Sequence, residues 1–171
     1  MFTNHNSKIN KFALESADNL AKVILMVSLS IQQNWLSVGD QIKDVEQLGI
    51  NSRFLWGNKK NTYIYIQKHK HRLLGQVKAV LASSKSEKDK SLSLMKIFLR
   101  IPGLGLAKAG FSCQLITGLV GCMDSHNIKL YGLSNKDLSL PANINSPMYS
   151  QRITNYVAMC LKYGSENLWN T

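Results

Sequence analysis

Apolar residues recur along this chain at a helical period rather than a strand period. Over residues 13–35, Leu14, Leu20, Ala21, Ile24, Leu25, Val27, Leu29 and Ile31 fall close to a 3.6-residue repeat, which predicts one long amphipathic helix. Gly39 allows a break, and Ile42, Val45 and Leu48 resume the pattern as a short helix that Gly49 can cap. Residues 52–58 read as a turn holding Trp56. Tyr63-Ile64-Tyr65-Ile66 alone has strand propensity. Yet Ile66, Leu73, Leu74, Val77, Val80 and Leu81 continue it helically, so residues 61–82 read as a helix. The polar run 83–91 is a solvated loop and a helix start. Residues 92–100 form a helix ended by Pro102, because the residue before a proline is pushed out of the α region. Residues 105–118, 126–130 and 148–163 complete the helical pattern, with a loop over 134–146 that carries Pro141. Near the end, apolar Leu168 and Trp169 are expected to pack against the body.

The pattern therefore predicts an all-α, single-domain bundle spanning residues 1–171, a length that can bury a real core. Composition alters the picture through charge. Lys and Arg number 21 against 10 Asp and Glu, a formal +11. An excess of that size attracts polyanions by steering and counterion release, with nucleic acid as the usual partner and an anionic membrane surface as the rival. The apolar run 23–27 is far too short to cross a bilayer, so no membrane association is expected. The first residues lack the apolar segment of a secretory signal. Cys113, Cys122 and Cys160 are an odd number without metal-type spacing, which fits buried thiols in a reducing, intracellular compartment.

The stretch 101–132 carries the chemistry. Pro102-Gly103-Leu104-Gly105 lies between two helical patterns and reads as a tight hairpin within a helix–hairpin–helix over about 92–118, with its centre near 95–115. Gly103 and Gly105 permit positive φ and close backbone approach. The second helix begins near Gly105, so its first N–H groups and positive dipole end face outward, where a phosphate can sit. Lys108 adds charge in that first turn. Asp124 is the sole carboxylate between Asp89 and Asp137. It precedes His126-Asn127-Ile128, where a helix can start. That makes it a natural N-cap, and a cap position also holds a carboxylate rigidly for work on a DNA sugar.

Ile101-Pro102-Gly103-Leu104-Gly105 followed by Asp124-Ser125-His126 resembles the helix-hairpin-helix DNA glycosylases. Members of that family typically read Leu-Pro-Gly-Val-Gly, then Asp-Thr-His about twenty residues after the hairpin's last glycine. Here the spacing is nineteen, and the likeness covers about thirty of 171 residues. The resemblance implies double-stranded DNA as partner, with backbone held by Gly103, Leu104, Gly105 and Lys108, and with His126 and Lys129 beside it. It implies excision of a flipped base, with Asp124 as the catalytic carboxylate. Ala107 stands where bifunctional members have lysine, and Lys108 is one place on, about 100° round the helix, so a monofunctional enzyme is expected. Cys160 is alone where some members carry four cysteines, so no iron–sulfur cluster, and no other cofactor, is expected. The alternative is a non-catalytic DNA-binding protein with the same hairpin.

Elsewhere, residues 68–72 (Lys-His-Lys-His-Arg), with Lys59 and Lys60, form a basic cluster that is either a solvated helix face or a DNA contact. His69 and His71 diverge on a helix, so no metal site is expected there. Trp35, Trp56, Tyr63 and Tyr65 are candidates to stack on an extruded base, though most aromatics at helical spacing belong to the core.

Overall fold

A computed structural model describes the backbone of residues 3–168 and the side chains of 7–136 and 138–168. The described residues form eight α-helices joined by turns and short 3₁₀ segments, with no strand. The expected all-α bundle is the fold. The helices are α1 (Thr3–Glu15), α2 (Ala17–Leu29), α3 (Val38–Leu48), α4 (Asn58–Ala82), α5 (Glu87–Phe98), α6 (Leu106–Thr117), α7 (Ser125–Leu130) and α8 (Pro147–Tyr163). Among them none is long and apolar enough to cross a membrane.

The central helix is α2, which packs against α1, α3, α4 and α6. Its apolar residues surround the axis, and Leu20, Ala21, Val23, Ile24, Leu25, Val27 and Leu29 are all buried. A helix apolar on every side belongs inside a bundle. Helix α5 lies on α4, α6 and α8, burying Leu94, Met95 and Phe98.

Two expectations about boundaries are corrected. The periodic stretch 13–35 is not one helix. Ser16 takes an extended conformation and its hydroxyl accepts a bond from Asn19 N at 3.1 Å, so α1 ends and α2 begins there. At the other end Ser30 Oγ donates to Val27 O at 2.7 Å and Gln32 turns to a φ of 56°, which stops the helix at Leu29 although Ile31 keeps the apolar rhythm. Local side-chain bonds to the backbone outweigh periodicity at both points. Gly39 does not break the chain either. The turn comes earlier, where Asn34 Oδ1 caps a 3₁₀ segment at Trp35–Ser37 by accepting from Leu36 N, and Gly39 falls in the first turn of α3.

Other boundaries follow the sequence. Gly49 ends α3, Ser86 caps α5, Ser146 caps α8, and Gly118 ends α6 in the left-handed region. Residues 61–82 are helical, within α4. The three thiols are free and buried. Leu168 is fully buried and its carbonyl accepts from Cys122 N at 3.3 Å, so the end of the described chain packs on the body. Trp169 lies outside the described residues.

Candidate nucleic-acid interface

The segment from α5 through α6 is a helical hairpin whose turn is anchored from below. Ile101 and Leu104 point into the core with 1% and 6% exposure. Burying each contributes about 1.5–3 kcal/mol. Pro102, Gly103 and Gly105 stay exposed. Gly103 has a φ of +86°, and a Cβ there would lie 2.7 Å from Thr62 Oγ1 and 3.1 Å from the Asn58 carbonyl. Thr62 Oγ1 is shared between the Pro102 carbonyl at 2.6 Å and the Asn58 carbonyl at 3.0 Å. Glycine is thus required twice over, for the left-handed backbone and for the approach of α4.

At the start of α6, Gly105 is extended and caps without a side chain, while its carbonyl accepts from Ala109 N at 2.8 Å. Lys108 is half-buried. Its ammonium turns toward the end of α2, 3.3 Å from Ser30 Oγ, and sits 5.6 Å from the Phe111 ring centroid. Phe111 in turn meets Trp35 at 5.4 Å. Lys59 reaches the same place from α4. Its ammonium is buried and donates to Leu29 O at 3.1 Å, with the Trp56 ring 4.3 Å away. Two cations therefore gather at the C-terminal end of α2, where the helix dipole is negative. Burial pushes the Lys59 amine below the ordinary lysine value, and the nearby Lys108 charge adds to this.

Asp124 is held by a chain of buried contacts. Helix α6 presses Gly110 onto the loop that follows it, so closely that a Cβ would run into the Gly121 carbonyl and the Tyr156 ring. Tyr156 Oη donates to Gly121 O at 2.7 Å and accepts from Met123 N at 2.9 Å. Asn127 Nδ2 donates to Cys122 O at 2.6 Å. Val120 holds a φ of 67°, an uncommon state for a β-branched residue. Out of this fixed loop Asp124 emerges as the N-cap of α7, its Oδ1 accepting from His126 N at 3.0 Å and Asn127 N at 3.1 Å. The cap expected from the sequence is present.

The hairpin helix and the loop that ends in Asp124 meet at Gly110 and Gly121. Burial raises the Cys122 thiol to about 12, with the Asp124 charge pushing the same way and the Lys108 charge opposing. His126 and Lys129 lie exposed on α7, three residues apart and so on one side of it. Leu104 is brought to the hairpin by its backbone alone, its side chain being core.

The basic cluster divides. Lys70 pairs with Asp18 at 2.6 Å, Arg72 donates to Tyr65 Oη at 3.2 Å, and His69 packs on Tyr65 with ring centroids 4.5 Å apart. Lys59, assigned to that cluster by sequence, is instead buried at the C-terminal end of α2. Its signal was available: Lys59, Thr62, Ile66, Leu73 and Val77 fall on one stripe of α4, and all five are buried. Ser30 and Tyr156 had no such signal, since their roles depend on segments far away in sequence.

No family model, curated protein or solved structure matches the chain.

Proposed function

We propose that this protein holds DNA backbone on the α5–α6 hairpin and cleaves the N-glycosidic bond of a base turned out of the duplex. The observation that carries the reading is the close packing of the hairpin helix α6, at Gly110, on the fixed loop from which a rigidly capped Asp124 emerges. In this reading phosphate lies against the exposed turn at Gly103 and Gly105, with Lys129 extending the cationic edge and His126 as a polar neighbour. Asp124 stabilises positive charge growing on the sugar as the base departs, and orients the water that attacks the anomeric carbon. Hydrolysis without a lyase step fits Ala107 at the position two after Gly105, and Lys108 turned toward Ser30.

A second reading, DNA binding without catalysis, is favoured by a specific observation. The two larger described clefts, of about 410 and 420 Å³, are not lined by Asp124.

Base release from duplexes bearing a panel of altered bases separates the two. Asn at position 124 keeps the cap but loses the charge. Asp124→Asn is therefore expected to lower release about 10²–10³-fold with DNA affinity unreduced. No release from any duplex, with salt-sensitive binding equal in both proteins, leaves the binding module.

A further inference from the structure

A cleft of about 420 Å³ lies between the C-terminal end of α5 and the start of α8, within the roughly 300–1,000 Å³ that small-ligand sites span. Lys96 and Arg100 contribute two exposed cations from one face of α5 and its end. Facing them are Tyr149 and Ile153 of α8, with Ile144 and Asn145 from the preceding loop. Ile153 is buried as a floor, whereas Ile144 is 66% exposed. No carboxylate is among the lining residues.

The other large cleft contrasts with it. Between α2, α3 and α4, its lining holds Asp18 and Glu46 as well as Lys22, with Lys22 paired to Glu46 at 2.7 Å and Asp18 to Lys70 at 2.6 Å. That cleft carries its own counterions, and the α5–α8 cleft does not. Cations on one wall, with a phenol, an amide and an exposed aliphatic facing them, match a phosphate joined to a flat base. Arg100 is also three residues from Gly103, so no more than about 11 Å of backbone separates the cleft from the exposed turn.

We infer that the α5–α8 cleft takes one unpaired nucleotide of a DNA strand bound at the hairpin, its phosphate on Lys96 and Arg100 and its base against Tyr149 and Ile144. This rests on the DNA-binding part of the function proposed above, and not on catalysis.

The test is fluorescence anisotropy with blunt duplexes and the same duplexes carrying short single-stranded overhangs, at several salt concentrations. Native protein is expected to bind an overhang about tenfold more tightly than a blunt end, the scale of stacking one base. Lys96→Gln with Arg100→Gln weakens binding of the overhanging duplexes and lowers their salt slope by about 0.7, for one lost single-strand phosphate contact. Ile144→Ser removes the overhang advantage alone. Being at an exposed position it leaves folding intact, and Tyr149→Leu, checked by circular dichroism, repeats the effect. Equal native affinity for blunt and overhanging duplexes overturns the inference and leaves the hairpin reading standing. Absence of salt-sensitive binding to any DNA overturns both. Binding of a free deoxynucleoside monophosphate that needs Lys96 and Arg100, without overhang preference, overturns the assignment to a strand.

Discussion

Two turns meet the first two turns of α4, and α4 holds them by different means. The hairpin at 99–105 is held by a neutral bond, Thr62 Oγ1 to the Pro102 carbonyl at 2.6 Å. The turn after α2 is held by a buried ammonium, Lys59 Nζ on the Leu29 carbonyl at 3.1 Å. Their backbones differ as well. The hairpin places glycine at its positive φ and packs so tightly there that a side chain has no room. The other turn places Gln32 at a φ of 56°, exposed to solvent. One turn is relaxed and packed closely on α4 from one side, the other strained and open. A turn that presents backbone to a ligand needs the first arrangement, because its shape must survive contact. The second stores a small strain that substitution can release.

The largest effect is expected at the hairpin turn. Gly103→Ala forces a left-handed alanine, about 1–3 kcal/mol by itself, and drives a Cβ against Thr62 and the Asn58 carbonyl. Urea unfolding should show a loss at the upper end of that range or beyond. A loss under 1 kcal/mol would mean that the hairpin relaxes and is not fixed by α4. Next in size is Thr62→Val, which keeps the shape but removes the donor to Pro102, at a cost of about 1 kcal/mol. Unchanged stability would show that the hydroxyl bond contributes nothing net.

How far this arrangement was legible beforehand depends on the range of the contacts. The hairpin, the Asp124 cap and the end of α6 at Gly118 rest on neighbours within a few residues, and they are where sequence reasoning put them. The break at Ser16 was masked because Leu14, Leu20 and Ala21 keep a helical rhythm across a serine whose bond to Asn19 N decides the matter. The fixing of the loop before Asp124 could not be read at all. It depends on Tyr156 reaching Gly121 across 35 residues, on a helix whose own periodicity only declares that tyrosine buried. Lys59 lies between these cases: its place on the buried stripe of α4 was visible, but its lysine identity suggested solvent. The chemistry proposed for Asp124 rests on the family resemblance and not on any contact its own residues declare.

A smaller effect, of opposite sign, is expected at the open turn. Gln32→Gly relieves a left-handed glutamine, about 1–2 kcal/mol, against roughly 0.5–1 kcal/mol of extra unfolded-chain entropy. A net gain of about 0.5 kcal/mol should appear in urea unfolding at neutral pH. A loss would mean that the Gln32 side chain makes up for its strained backbone. The sign sharpens the contrast, since adding a side chain to one turn and removing one from the other move stability in opposite directions.

The smallest effect separates the two anchors by pH. Burial and the Lys108 charge hold Lys59 below its ordinary 10.5 in the folded state, so between its folded and unfolded values the unfolded chain binds more protons. Stability then rises with pH across that window. Below it the full penalty of burying the charge is present, and above 10.5 the penalty is gone. The neutral amine still donates to Leu29 O, so the anchor itself persists. Comparing unfolding free energies of native protein and Lys59→Met from pH 8 upward cancels the contribution of the other lysines. The native protein should gain on the variant as pH rises toward the unfolded value, whereas Thr62→Val should run parallel to native throughout. If Lys59→Met also runs parallel, the ammonium carries no burial penalty, and the two turns are held by anchors of the same electrostatic kind after all.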